Sequence, residues 1–257
     1  MSFGETSGRA PRRKVAAVTG GTRGIGRAVS LNLARDGYRV FALYGRDREA
    51  ADVLVKDAAA QDLPVETIRG DLTRPEKFKA VVDEIRAKVT HVDAIVHCAA
   101  SGVHRDAAQL SVKHLAWTFE INVFAIHSLI QTLLDVMPQG SRIVGITSAG
   151  GVRVVPYYAA VGSSKGALES LFRHYASELA PRGIAVNLVC PGLVLTDALD
   201  AFPDREARLK RTIETTPTGR LTTPEDVAQV VSFLVSPASA QIIGQTIVID
   251  GGKTLSS

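Results

Sequence analysis

The stretch Lys14-Val-Ala-Ala-Val-Thr-Gly-Gly-Thr-Arg-Gly-Ile-Gly26 decides the fold. An apolar run leads directly into a glycine-rich turn, and an amphipathic segment follows. This order predicts a strand, a tight loop and a helix, the context in which a loose glycine pattern indicates a nucleotide site. Glycine allows close backbone approach, so amide hydrogens at the helix start can bind a pyrophosphate. A purely structural turn is the alternative. The predicted dinucleotide-binding loop comprises Gly20, Thr22, Arg23, Gly24, Ile25 and Gly26.

Six further β-branched runs follow, and amphipathic stretches separate them. The seven predicted strands span residues 15–18, 39–44, 65–68, 94–97, 142–146, 185–189 and 246–249. Such alternation predicts βαβ units, and strands that are apolar throughout predict a sheet covered by helices on both faces. We therefore expect an α/β fold of the Rossmann type, a doubly wound parallel seven-stranded sheet in a three-layer α/β/α arrangement. Ligands of such sheets bind beyond the carboxyl ends of the strands.

Length and composition are those of an ordinary globular protein. The chain has 257 residues, of which 46% are hydrophobic and 22% charged. We expect a flexible leader over residues 1–13 and a single domain over residues 14–257. The leader lacks the apolar core of a signal peptide, and no uninterrupted apolar run reaches the roughly 18 residues of a membrane helix. These features predict a cytoplasmic protein that does not enter a membrane, with Cys98 and Cys190 as reduced thiols.

Charge and histidine spacing argue against two other classes of site. The net charge is +4, but basic residues are scattered among acidic ones, which favours a solvated surface over a nucleic-acid interface. The six histidines show no repeated metal-ligand spacing, so we predict no metal site. Residues 197–216 form an insertion between the sixth strand and a last helix over residues 224–235. This insertion is either a mobile lid over the substrate or a fixed helical hairpin.

The end of the second strand predicts which nicotinamide cofactor is bound. It reads Leu43-Tyr44-Gly45-Arg46, without the carboxylate that usually binds the adenosine ribose. Arg46, together with Arg23, can instead pair with a 2′-phosphate through charge-assisted hydrogen bonds. The sequence therefore predicts NADPH (NADP) over NADH. Asp47 either caps the following helix or pairs with Arg46.

Polar residues also follow the third and fourth strands. Asp71 and Leu72 are predicted to hold the adenine, with a structural helix N-cap as the alternative for Asp71. His97 at the end of the fourth strand either touches the adenosine or packs in the interior.

A second motif, Tyr157-Tyr158-Ala-Ala-Val-Gly-Ser-Ser-Lys165, predicts the chemistry. A tyrosine four residues before a lysine on a helix shares its face, but that position is Val161. Seven residues turn a helix by ~700°, close to two full turns, so Tyr158 still faces the same side as Lys165. Tyr158 is therefore the predicted proton donor, and the helix dipole and the ammonium are expected to favour its phenolate. Structural packing of Tyr157 and Tyr158 is the alternative.

Together these residues resemble the short-chain dehydrogenase/reductase family, and the resemblance covers residues 14–255. It implies that Asn122 is the helix asparagine of the active site, that Ser148 binds the substrate carbonyl, and that Lys165 positions both ribose and phenol. It also implies a segment that clasps the nicotinamide carboxamide through the backbone of Val194 and the hydroxyl of Thr196. The predicted catalytic residues are Tyr158, Lys165, Ser148 and Asn122, and the resemblance adds Tyr44, Ala99, Lys165, Pro191, Gly192, Val194 and Thr196 to the cofactor site.

The chain departs from the family pattern at two places. The usual Asn-Asn-Ala-Gly after the fourth strand is His97-Cys98-Ala99-Ala100, and the tyrosine has moved from position 161 to Tyr158. The longer spacing to Lys165 is similar to that of type III enoyl-acyl carrier protein reductases. The resemblance implies NADPH-dependent reduction of an enoyl thioester, with ketone reduction in polyketide tailoring or a non-catalytic NADPH-binding protein as alternatives.

The resemblance also implies the partners. The substrate is expected to be a small molecule or a carrier-bound acyl or polyketide chain, and the protein is expected to form a homotetramer or homodimer.

Overall fold

A computed structural model describes residues 12–196 and 205–255. Seven parallel strands lie in one sheet of order β3-β2-β1-β4-β5-β6-β7. Their bounds are β1 Val15–Thr19, β2 Arg39–Tyr44, β3 Val65–Arg69, β4 Ala94–His97, β5 Arg142–Ile146, β6 Ala185–Pro191 and β7 Thr246–Ile249. The predicted α/β fold is confirmed, and the observed strand ends extend at most two residues beyond the predicted ones. All but the last two residues of the predicted leader lie outside the described part of the chain.

Helices connect the strands and cover the sheet. Their bounds are α1 Gly24–Arg35, α2 Arg48–Ala59, α3 Pro75–Lys88, α4 Val112–Phe119, α5 Ala125–Leu133, α6 Ala159–Leu179, α7 Arg205–Thr215 and α8 Pro224–Val235. The last of these has the predicted bounds. Thr223 caps it by accepting a hydrogen bond from the amide of Asp226, whose carboxylate in turn accepts from the amide of Thr223.

Two hydrophobic clusters, one on each face of the sheet, form the core. Alternate residues of β1 belong to different clusters, as the period of a strand requires: Val18 joins the cluster of α1, α2 and α8, and Ala17 joins that of α3, α5 and α6. Leu33 and Leu234 fill the first layer, and Phe172 fills the second. The sheet is therefore buried on both faces, which explains the apolar strands.

The long apolar segment over residues 107–137 is not one regular helix. Ser111 caps the start of α4 by accepting from the amide of His114, and a π-helical turn, Glu120–Phe124, separates α4 from α5. By length and composition alone, the helical stretch Val112–Val136, which includes this π turn, could cross a membrane. Here its α5 part packs on the core through the fully buried side chains of Ile126, Leu129, Ile130 and Leu133.

The order of the strands determines where a ligand can bind. β1 lies between β2 and β4, so the chain leaves β1 toward one side of the sheet and later returns to the other. Such a reversal opens a crevice beyond the carboxyl ends of the strands. In register, Thr19 of β1 pairs with His97 of β4, so the segments after these residues lie side by side at that crevice.

Candidate active site

The glycine loop is built for close backbone approach. Gly20 and Gly24 have φ of 63° and 50°, values that L side chains rarely adopt. A Cβ on Gly20 would lie 2.8 Å from Cα of Ala99, and one on Gly26 would lie 2.0 Å from the carbonyl oxygen of Gly20. The loop is also held from below, because Ser30 of α1 donates a hydrogen bond to the carbonyl of Gly21 at 3.0 Å.

The start of α1 offers donors and no negative charge. Its first turn, Gly24 to Arg27, holds no carboxylate, and Arg23 is the exposed residue just before it. Thr22 is buried and Ile25 packs partly against the core. Backbone amides at a helix start, with an arginine beside them, form a site for an anion such as a pyrophosphate. The glycine loop and the start of α1 therefore fit the pyrophosphate of the predicted dinucleotide.

The end of β2 presents a cation to solvent. Arg46 is exposed just beyond the half-buried Tyr44. Asp47 caps α2, accepting a hydrogen bond from the amide of Ala50 at 3.0 Å. Of the two alternatives for Asp47, the structure therefore supports the cap. The capping bond occupies one oxygen of the carboxylate and orients it toward α2.

Asp71 follows β3 but does not cap the next helix. α3 has Arg74 as its N-cap residue, whereas Asp71 accepts from both the amide and the hydroxyl of Thr73, at 3.1 and 2.6 Å. The hydrogen bond from the Thr73 hydroxyl is the largest influence on the Asp71 carboxyl and lowers its pKa. The helix-cap alternative is therefore wrong, because the N-cap residue of α3 lies three residues later. Leu72 packs partly against the core, beside this turn.

The segment after β6 lies next to the glycine loop. A Cβ on Gly24 would lie 3.3 Å from Cγ2 of Thr196. Val194 is buried and forms an isolated bridge with Thr222. The amide of Gly192, which follows Pro191, donates to the carbonyl of Ile249 at 3.1 Å. The two predicted halves of the cofactor site are thus brought together.

Tyr158 lies beside Ser148, but it is not a helical residue. It is the N-cap of α6 with φ of −115° and ψ of 8°, so the two-turn arithmetic that predicted its face holds only approximately. Its side chain is hydrogen-bonded to that of Ser148. Its ring lies beside two glycines, and a Cβ on Gly150 or Gly162 would be 2.5 or 3.5 Å from Cδ1.

The phenol of Tyr158 is held in its neutral form. Burial raises the pKa of Tyr158 above its usual value, and the hydrogen bond with Ser148 only partly offsets this effect. The expectation that the helix start and Lys165 favour a phenolate is therefore wrong for the protein alone, because desolvation is the largest influence on the phenol and raises its pKa. A neutral phenol is a proton donor at neutral pH. The neighbouring Tyr157 has a positive φ of 62° and is 38% exposed, so it does not share this buried environment.

Lys165 is buried and donates a hydrogen bond to the carbonyl of Ile146 at 2.7 Å. Burial lowers the pKa of Lys165 to about 8, although the nearby Cys98, Glu169 and Cys190 act in the opposite direction. Lys165 therefore loses its positive charge more readily than an ordinary lysine, within the working pH range of a typical enzyme.

Asn122 lies in the π-helical turn, fully buried. Its side-chain amide donates to the carbonyl of Ser101 at 3.0 Å and to the hydroxyl of Ser164 at 2.9 Å, and its side-chain oxygen accepts from the amide of Ser101 at 2.9 Å. Isolated π turns often occur at functional sites. This one carries the predicted asparagine and links the loop after β4 to α6, the helix of Lys165.

His97 packs in the interior, and its ring also makes two specific polar contacts there. It is fully buried, with Nδ1 2.8 Å from the hydroxyl of Thr19 and Nε2 3.2 Å from the carbonyl oxygen of Asn122. The packing alternative is confirmed, but the sequence did not reveal these partners. Burial, with a smaller effect of Lys165, lowers the pKa of His97 to about 3, so its ring is neutral.

Part of the predicted insertion borders this region. Residues 197–204 lie outside the described residues, and most of the remainder forms α7. The ring of His104 lies 5.6 Å from that of Tyr158, centroid to centroid. Burial lowers the pKa of His104, and the positive charge of Arg208 on α7 lowers it further, so α7 lies close to the crevice. Its behaviour as a lid stays a prediction.

The thiols near the site are protonated. Burial raises the pKa of Cys98 to about 12 and that of Cys190 to about 11. Both are free cysteines, as predicted. Within residues 12–196 and 205–255, no group of three or more histidine, cysteine, aspartate or glutamate side chains could hold a metal ion.

The sequence model of the family described as "Enoyl-(Acyl carrier protein) reductase" matches residues 20–254. The chain is 33% identical over 248 residues to a 1-cyclohexenylcarbonyl-CoA reductase of Streptomyces collinus, covering 96% of this chain and 89% of that protein. The chain belongs to the short-chain dehydrogenase/reductase family. It is therefore an oxidoreductase of that family.

Two further members show the breadth of this similarity. A 3-oxoacyl-[acyl-carrier-protein] reductase (FabG) of Staphylococcus aureus is 32% identical over 244 residues, 93% of this chain and 97% of that protein. A variant of actinorhodin polyketide ketoreductase, solved with NADPH, superposes with a TM-score of 0.87 at 28% identity, covering 94% of this chain and 97% of that one. The chain thus resembles reductases that are named for a cyclohexenylcarbonyl-CoA, a 3-oxoacyl-acyl carrier protein and a polyketide.

Proposed function

We propose that this short-chain reductase uses NADPH to reduce the carbon–carbon double bond of a 2-enoyl thioester. The observation that carries the proposal is the position of the phenol: Tyr158 lies beside Ser148, and Val161 occupies the position where the family usually has tyrosine. The similarity to a 1-cyclohexenylcarbonyl-CoA reductase, whose name denotes an enoyl thioester substrate, supports it. At the coarser level the chain is an NADP-dependent reductase for substrates of fatty-acid or polyketide type.

The cofactor assignment rests on the cradle and on Arg46. The glycine loop and the uncharged first turn of α1 suit the pyrophosphate, and Arg46 with Arg23 suits an additional phosphate on the ribose. NADPH supplies a hydride when bound. Asp71 and Leu72 would lie at the adenine, whereas Val194 and Thr196 would lie at the carboxamide.

In this proposal each catalytic side chain has a separate role. Ser148 and Tyr158 hold the thioester oxygen, and their hydrogen bonds stabilise the negative charge that develops there when the β carbon accepts the hydride. The proton of the neutral Tyr158 phenol then completes the reduction at the α carbon through the enol. Lys165 binds the ribose and positions the cofactor, and Asn122 holds the loop after β4 against α6.

The displaced tyrosine favours conjugate over direct reduction. In a ketone the oxygen is bonded to the carbon that receives the hydride, whereas in an enoyl thioester it is separated from that carbon by two further bonds. A phenol placed three residues earlier in the chain lies farther from Lys165 by ~4.5 Å along a helix axis. Val161 cannot replace it, because a valine side chain has no proton to donate. It packs instead against Gly102, where a Cβ would lie 2.2 Å from Cγ2 of Val161.

Ketone reduction of a 3-oxoacyl thioester or an aromatic polyketide is the second candidate. Ser148 and Tyr158 are hydrogen-bonded to each other, which is also the pair that a ketone oxygen requires. The similarity to a 3-oxoacyl-[acyl-carrier-protein] reductase and to a polyketide ketoreductase favours this candidate. The position of the substrate relative to the hydride decides between the two reactions.

One assay distinguishes them. The purified protein is incubated with NADPH and, in parallel, with a 2-enoyl-CoA and the 3-oxoacyl-CoA of the same chain length, and NADPH absorbance and product mass are followed. Conjugate reduction gives the saturated thioester, and ketone reduction gives the 3-hydroxy thioester. A kcat/KM at least tenfold higher for the enoyl substrate is expected. A preference for the 3-oxo substrate would establish the second candidate, and tight NADPH binding without turnover on either would favour a non-catalytic protein.

We further propose that the protein acts as a homodimer or homotetramer in the cytoplasm. Large apolar side chains are exposed on two helices and on the edge strand β7, namely Val112 at 81%, Phe124 at 48%, Phe233 at 45% and Val248 at 49%. Copies that pair through these surfaces would cover them. The acyl group reaches the site either as a coenzyme A ester or on a carrier protein, and parallel assays with both forms identify the preferred one.

A further inference from the structure

The strongest unassigned feature is the hydrogen-bonded ring of His97. Its imidazole is fully buried at the end of β4, and each nitrogen has a different partner. Nδ1 lies 2.8 Å from the hydroxyl oxygen of Thr19, the last residue of β1 before the glycine loop. Nε2 lies 3.2 Å from the backbone carbonyl oxygen of Asn122 in the π turn. Partners 78 and 25 residues away in the chain thus meet on one side chain.

These contacts define the tautomer and the direction of each hydrogen bond. A backbone carbonyl can only accept, so Nε2 carries the proton. The neutral ring then has an acceptor at Nδ1, and the Thr19 hydroxyl donates to it. The same hydroxyl oxygen accepts from the amide of Ala99 at 3.2 Å. The result is a continuous chain in which the Ala99 amide donates to Thr19, Thr19 donates to His97, and His97 donates to Asn122.

The two ends of this chain lie in different parts of the site. The Thr19 and Ala99 end supports the cofactor cradle, since a Cβ on Gly20 would lie 2.8 Å from Cα of Ala99. The Asn122 end supports the π turn, whose asparagine also binds Ser101 and Ser164. Among the described residues, His97 is the side chain that hydrogen-bonds to both Thr19 and Asn122.

We propose that His97 is a positioning residue with two separable arms, one that holds the cofactor loop through Thr19 and one that holds Asn122 through its carbonyl. It touches neither the substrate nor the reacting atoms. The proposal rests on the cofactor loop and the Asn122 position described above, and it does not depend on whether the substrate is an enoyl or a 3-oxo thioester.

Two substitutions remove one arm each. The side-chain oxygen of asparagine occupies the place of Nδ1, so His97→Asn keeps an acceptor for Thr19 and loses the contact with Asn122. The side-chain amide of glutamine reaches the place of Nε2, so His97→Gln keeps a donor for Asn122 and loses the acceptor for Thr19. Each variant is compared with the unsubstituted protein in NADPH dissociation constant, in kcat, and in amide hydrogen exchange of a peptide covering residues 120–125.

Each variant is expected to change one of the two readouts, NADPH binding or hydrogen exchange, and to leave the other unchanged. His97→Gln raises the NADPH dissociation constant about tenfold, the effect of one buried hydrogen bond, and leaves exchange in residues 120–125 unchanged. His97→Asn leaves the NADPH dissociation constant within about twofold, speeds exchange in residues 120–125 about tenfold, and lowers kcat by a similar factor. Thr19→Val removes the first arm from its other end, together with the acceptor for the Ala99 amide. It is therefore expected to raise the NADPH dissociation constant at least as much as His97→Gln, to leave exchange in residues 120–125 unchanged, and to provide the test if that variant does not fold.

Any other pattern overturns the proposal. If both variants change cofactor binding and exchange together, or change neither, His97 only fills the core. Hydrogen exchange and NADPH binding need no substrate, so the two arms are tested even if the enzyme reduces neither thioester. Failure of the proposed function appears separately, as absence of turnover by the unsubstituted protein.

Discussion

Replacement of Tyr158 by phenylalanine tests the central assignment. The change removes the phenol hydroxyl and its hydrogen bond with Ser148, and the ring keeps its place beside Gly150 and Gly162. Loss of a general acid lowers kcat by about 10²–10⁴-fold. The lost hydrogen bond costs about 1 kcal/mol of stability, which lowers the Tm of a chain of this size by about 2–4 °C. The variant is therefore expected to be folded, to bind NADPH within about twofold of the unsubstituted protein, and to be almost inactive.

The assay follows NADPH oxidation under saturating 2-enoyl-CoA at neutral pH, with NADPH affinity measured by fluorescence titration. Tyr157→Phe is the matched control, because that neighbouring phenol is 38% exposed and its loss leaves kcat unchanged. A Tyr158→Phe variant that retains more than a tenth of the original kcat refutes the reasoning. The proton then comes from another group, and Ser148 becomes the first candidate.

Three further predictions concern the cofactor cradle and the buried histidine. Gly20→Ala places a Cβ at φ of 63° and 2.8 Å from backbone, so it should weaken NADPH binding more than tenfold and cost about 1–3 kcal/mol beyond the backbone strain. Gly37→Ala, at φ of 89° with no atom within 4 Å, carries only that strain and should leave NADPH binding intact. Arg46→Ala should raise the dissociation constant of NADPH about tenfold and leave that of NADH within twofold; equal losses for both would exclude a role at the 2′-phosphate. Burial lowers the pKa of His97 to about 3, so between pH 6.5 and 3 the unfolded chain takes up a proton that the folded protein does not. The free energy of unfolding should therefore decrease as the pH is lowered from 6.5 to 3. Urea titrations of His97→Gln should show a smaller decrease over the same range.

Much of the fold was predictable because its signals are local. The apolar runs of β1 and β4 need two covering layers, and the turn after β1 needs glycines wherever the backbone adopts a positive φ. Such requirements act on neighbouring residues, so a reader of the sequence alone can see them. Boundaries were less accurate, because β6 continues to Pro191, two residues beyond its predicted end.

The details of the site were less predictable because they depend on distant contacts. Helical periodicity predicts Tyr158 as the proton donor, although its backbone is not helical. Its pKa depends on desolvation, which no local sequence pattern indicates. The sequence leaves open whether His97 packs or touches the adenosine, because its partners, Thr19 and Asn122, come from two other elements. Parallel register brings Thr19 and His97 together, and a π turn brings the Asn122 carbonyl within reach. Neither distance follows from sequence spacing.

The close approach of Gly150 and Gly162 to the Tyr158 ring has a consequence for how such an enzyme could be redesigned. A Cβ on Gly150 would lie 2.5 Å from Cδ1 of the ring, and one on Gly162 would lie 2.5 Å from the carbonyl oxygen of Gly150. A larger residue at either position would therefore shift the phenol away from the place where it meets the substrate oxygen. New substrates would then be accommodated by reshaping other walls of the crevice, with both glycines retained.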